Sequence, residues 1–127
     1  MNFKNLNTIT AFLSMINSLF YLLAPVFSLE LMSRSTNAVG LLNTRMAGAC
    51  ALGIALITWQ SRNIVETKFQ NIVSGGNLAM FIALVIVEIH GIWSGAFNWV
   101  GWLFLTADSL LALAYLQFYL KTRGKNI

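Results

Sequence analysis

Apolar residues in this chain come in long, nearly unbroken runs, not in the short alternations of a half-buried strand. Four runs are long enough to cross the roughly 30 Å hydrocarbon core of a bilayer, which takes about 20 helical residues. They are Ile9–Met32, Val39–Trp59, Ile72–Trp93 and Phe97–Leu120. Lipid offers no partners to backbone N–H and C=O groups, so each run must satisfy its own as a helix. The pattern predicts an all-α, integral-membrane four-helix up-down bundle, with residues 1–127 forming one transmembrane domain.

The breaks between runs carry their own signals. Pro25 lies in the last third of the first run and is expected to kink or end that helix, because proline lacks the N–H the helix needs. Ser33–Ala38 reads as a short polar loop. Gln60–Asn71 is longer, carries Arg62, Glu66 and Lys68, and has room for a short interfacial helix. Ser94–Ala96 is short enough to make the last two runs an antiparallel hairpin. Lys4 ahead of the first run resembles the start of a signal peptide, but the run is too long and no clean small-x-small site follows, so a retained first span is expected.

Charge orients the bundle. Lys4, Arg62, Lys68, Lys121, Arg123 and Lys125 fall on one side, and Arg34 is the basic residue in a loop on the other. Positive residues collect on the cytoplasmic side, so both termini are expected there. Trp93, Trp99 and Trp102 then gather at the outer ends of the third and fourth runs, with Trp59 at the inner end of the second, as interfacial anchors do.

Composition agrees with the runs: hydrophobic residues make up 57% of the chain and charged residues only 9%. A soluble domain carries roughly 25% charge. The net charge of +4 belongs to the flanks of the spans, so it argues for orientation and against nucleic-acid binding. Cys50 is the single cysteine, which excludes an intramolecular disulfide and reads as a small packing residue.

Three charges stand inside the runs. Counted from the inner boundary, Arg45 lies about 21 Å up its span, Glu88 about 24 Å and Asp108 about 18 Å, at 1.5 Å per residue. Ionisable groups within a bilayer are rare and usually paired, so an intramembrane cluster of Arg45, Glu88 and Asp108 is expected. A guanidinium has five donors and suits two carboxylates. One Arg against two acids leaves a negative charge over, so one carboxyl is expected to hold a proton.

Asn17, Tyr21, Asn77, His90 and Tyr115 are further candidates for lining a ligand pocket. His90 stands about 200° around the helix from Glu88, so the two cannot share a metal. No cofactor is expected; the alternative is a haem or chlorin on His90, with Gly91 leaving room for a flat ring. No metal motif, catalytic Cys–His pair, nucleophile elbow or phosphate loop is present, so no enzyme is expected. Small residues (Thr44, Gly48, Ala49 and Gly53) line the second run for close helix approach, and Gly91–Gly95 matches a GxxxG pattern at a helix end.

The segment Leu22–Asn63 resembles small bacterial four-span proteins, DoxX-like in the broad sense. The resemblance rests on Leu23, Pro25 and Phe27 at the exit of the first span, and on Arg45, Gly48 and Ala49 entering the second. It implies a four-span fold in a bacterial-type inner or plasma membrane and assigns no activity. The expected function is that of an accessory or structural subunit, packing through its helix surfaces on a membrane-protein partner or on itself. The alternative is a carrier or binder of a small apolar or protonatable ligand (a lipid, a quinone or a proton-coupled solute) at the charged cluster.

Overall fold

Proline and asparagine set most of the helix ends. The computed structural model of the chain describes residues 2–32 and 34–123; Ser33 and Lys125, assigned above to a loop and to the basic flank, lie outside the described residues. Five helices are present among the described residues: α1 (Phe3–Leu23), α2 (Pro25–Leu31), α3 (Ala38–Ser61), α4 (Thr67–Trp93) and α5 (Trp99–Arg123). All but α2 are long and apolar enough to cross a membrane. Asn2 and Asn37 cap α1 and α3, each side-chain oxygen accepting from the backbone N–H three residues on, Asn5 at 2.8 Å and Gly40 at 2.9 Å. Asn98 does the same for α5 through the N–H of Val100, at 2.9 Å.

The first apolar run breaks where its proline stands. Ala24 leaves the helical region (φ −132°, ψ 54°), and Pro25 opens α2 at the first helical position, where its missing N–H costs nothing. The stretch 60–71 holds no separate interfacial helix. α3 continues to Ser61, a turn follows, and α4 starts at Thr67, so 67–71 simply lengthen α4. At 27 residues, α4 spans about 40 Å at 1.5 Å per residue and overshoots the hydrocarbon core. The turn between α4 and α5 closes on Gly95, whose φ of 70° suits a residue without a Cβ.

The helices run up and down and pack as two hairpins, α1 on α3 and α4 on α5. Gly48 makes the first pair close: a Cβ there would stand 2.9 Å from Tyr21 Cβ and 3.0 Å from the Ser18 carbonyl oxygen. Asn71 ties the start of α4 to the end of α5, donating to the Tyr119 carbonyl at 3.0 Å and to Thr122 Oγ1 at 2.9 Å. The start of α1 and the end of α5 therefore lie at one end of the bundle, with the 62–66 turn; the end of α2, the start of α3 and the α4–α5 turn lie at the other.

The two hairpins touch each other sparsely, α1 against α5 and α3 against α4. At the terminal end Leu6, Phe81 and Tyr115 form a small buried cluster, and Phe3 meets Phe118 edge-on with centroids 6.0 Å apart. At the other end Asn98 Nδ2 donates to the Leu31 carbonyl at 3.0 Å, and Arg34 Nε donates to the carbonyl of Ala96. Outward faces are dominated by large apolar side chains such as Phe12, Val39, Ile57, Ile86 and Leu110, all exposed, which suits a lipid-covered surface. Trp93, Trp99 and Trp102 are exposed as well.

Candidate functional site

Pinching at both ends leaves the middle hollow. A cavity of about 610 Å³ lies between the hairpins, lined by residues of all five helices and by Phe97 of the α4–α5 turn. This is within the range of small-molecule sites, roughly 300–1,000 Å³. Helical spacing puts the polar wall together. Ser14, Asn17 and Tyr21 stand at i, i+3 and i+7 on α1, and Phe81, Leu84 and Glu88 do so on α4. From α5, Phe104, Ala107, Asp108 and Leu111 complete the same space.

Glu88 and Asp108 meet here. The two carboxyls line one wall of the cavity from α4 and α5, near enough to act on each other electrostatically. Glu88 is buried, with 8% of its surface exposed, and its Oε2 has no hydrogen-bond partner; Asp108 is half-buried. Tyr21 and Asn17 are neighbours on α1, and the Tyr21 ring lies close enough to sense both acids.

Arg45 does not join them. It is exposed, it is absent from the cavity wall, and among the described residues it forms no ion pair. The expected three-residue cluster is therefore an acid pair plus a separate arginine. Along their own helices, Arg45 and Asp108 are about 11 Å and 14 Å from the loop-end starts, and Glu88 about 8 Å from the loop end. Azimuth separates Arg45 from the wall. The α3 residues on the wall are Ala47, Cys50, Ala51 and Ile54, and Arg45 is nine residues from Ile54, about 180° around the helix. Cys50, expected as packing, lies on the wall and is exposed to it.

Of the five pocket candidates, Asn17 and Tyr21 line the cavity, whereas Asn77, His90 and Tyr115 do not. His90 is exposed on the outward side of α4, which gives no enclosed slot for a haem or chlorin on it. Asn77 and Tyr115 belong to a buried network one turn nearer the termini. Tyr115 Oη donates to Asn7 Oδ1 at 2.8 Å, and Asn7 Nδ2 donates to Ser61 Oγ at 3.2 Å. Ser61 Oγ donates to the Thr58 carbonyl at 3.0 Å, and Thr58 Oγ1 donates to Asn77 Oδ1 at 3.4 Å. Four helices thus share one polar seam. The Tyr115 ring stacks on Phe81 (centroids 5.9 Å, planes 16° apart), and Phe81 is on the cavity wall, so this stack floors the cavity.

The roof is built on glycine. A Cβ at Gly91 would collide with the Cδ2–Cε2 edge of the Phe97 ring, and one at Gly101 would stand 2.6 Å from Phe97 Cβ, so the two glycines form a slot for that side chain. The Arg34 guanidinium covers the ring from outside, 4.6 Å from its centroid.

Sequence reasoning missed Asn7, Thr58 and Ser61. The first apolar run begins at Ile9 because Asn7 and Thr8 interrupt it, yet α1 starts at Phe3 and carries Asn7 inward. The available signal was the helical spacing of Asn7, Thr10, Ser14, Asn17 and Tyr21 along one side of α1.

No family model, no curated protein and no solved structure matches this chain. Its class is defined by its own geometry: an all-helical protein with four membrane-length apolar helices, hollow between two hairpins.

Proposed function

We propose that the protein binds or carries a small apolar ligand bearing a polar or protonatable group, held between the two hairpins. The observation that carries this reading is the cavity, mostly apolar, with one acid pair set into its wall. Binding sites for small molecules combine those two features: apolar bulk for affinity and a few convergent polar groups for orientation. The sparse contact between hairpins supports lateral entry from lipid, since the floor and the roof both close the ends. We place the terminal end in the cytoplasm of a bacterial-type cell, on the asymmetry of basic residues.

A second reading, an accessory subunit in a membrane assembly, is favoured by Arg45. A guanidinium facing outward within a span is costly in lipid and well matched to a partner's carboxylate.

One experiment separates the readings: native mass spectrometry after mild-detergent extraction, on the wild type and on Ala51→Phe, which fills the cavity. Carrier function predicts a defined small mass on the wild type that is lost from the variant. A wild type carrying no such mass, but co-isolating with a protein partner that Arg45→Leu releases, overturns it in favour of the subunit.

A further inference from the structure

Aromatic rings enter the cavity wall from every helix but α3, and the wall is acidic at one level. Phe20, Phe27, Phe81, Phe97 and Phe104 face the space from α1, α2, α4, the α4–α5 turn and α5, and Tyr21 adds a sixth ring. Glu88 and Asp108 are the charged residues on that wall. No lysine, arginine or histidine is on it among the described residues. Arg34 is turned to the Ala96 carbonyl and the outer face of Phe97, and Arg45 points away on the far side of α3.

Such a wall discriminates by charge. A carboxyl pair in low dielectric with no cation beside it keeps proton on at least one acid, and a bound cation stabilises the carboxylate form that an anionic ligand would disfavour, so the site favours a positive ligand over a negative one. Aromatic faces carry negative potential and hold a cation within about 6 Å of the ring centroid. An inorganic ion does not fit: calcium and magnesium want six or more oxygen ligands at roughly 2.0–2.6 Å, and no group of three or more metal-binding side chains is present among the described residues. The remaining volume is apolar and must be filled by apolar groups.

We infer that the ligand is a lipophilic organic monocation: an ammonium or similar centre set against Glu88 and Asp108, with aromatic or branched alkyl groups packed among Phe20, Phe81, Phe97 and Phe104. This names the ligand class for the cavity proposed above and rests on that reading. A cation of this kind partitions into the bilayer, which matches a cavity whose open sides face lipid.

The test uses three probes of similar shape and different charge on the wild-type protein in detergent: tetraphenylphosphonium, neutral triphenylphosphine oxide and tetraphenylborate. The expected result is saturable binding of the phosphonium at least tenfold tighter than the neutral probe, with no binding of the borate. Glu88→Gln is expected to weaken the phosphonium tenfold or more and to leave the neutral probe unchanged. If that variant does not fold, Asp108→Asn takes its place, and the comparison of probes on the wild type needs neither. Neutral or anionic probe binding as tight as the phosphonium overturns the cation inference and leaves the cavity reading standing. Failure of all three also overturns the inference. The native-mass experiment then decides the cavity reading separately, by whether a small mass stays on the wild type and leaves Ala51→Phe.

Discussion

Tyr115→Phe tests the seam that holds the two hairpins together. The change removes one oxygen and leaves the ring, so the stack on Phe81 survives. What is lost is the 2.8 Å bond to Asn7 Oδ1, between two residues with no exposed surface. Hydrogen bonds between helices in membranes contribute about 0.6 kcal/mol on average and about 1.7 at most. Full burial of both partners, and an acceptor stranded by the change, put this bond at the upper end, near 1.5 kcal/mol. Asn7→Ala removes that bond and the one to Ser61 as well, so about 2–3 kcal/mol is expected. The double variant should fall short of the sum by about 1 kcal/mol, because the two single changes delete one shared bond. The assay is reversible unfolding by sodium dodecyl sulfate in mixed micelles, followed by tryptophan fluorescence. Tyr119→Phe is the control, a half-buried ring on the same helix. A coupling below about 0.3 kcal/mol, the ordinary error of additivity, would refute the seam as a joint between α1 and α5.

Two further predictions follow from the cavity's surroundings. Gly91→Ala forces Phe97 out of its slot, which should cost about 1–3 kcal/mol and speed amide exchange at residues 94–98; unchanged exchange there would show that the ring is not seated between Gly91 and Gly101. Arg45→Leu should leave the isolated protein as stable or more stable to unfolding, because it removes an unpaired charge from a lipid-facing position, whereas loss of one partner from a buried ion pair would destabilise it by about 3–5 kcal/mol.

Long apolar runs, Pro25 and the short Ser94–Ala96 link carry enough information to read the fold. The runs must be helices because lipid leaves backbone groups no other partner, and the link forces the last two to lie antiparallel. Position along each helix was legible too, since a helix rises by a constant amount per residue. Boundaries were read less well, because residues such as Asn7 and Lys68 interrupt an apolar run without interrupting a helix. Rotation of one helix against another was not legible. In α3 and α4, apolar residues surround the whole helix, so no polar face marks which side turns inward. That choice belongs to close contacts between distant segments: Gly48 against Ser18 and Tyr21, and Asn7 between Tyr115 and Ser61. With those contacts Glu88 and Asp108 share one cavity wall, Arg45 lies off it, and a cavity stands where the run lengths alone imply only a bundle.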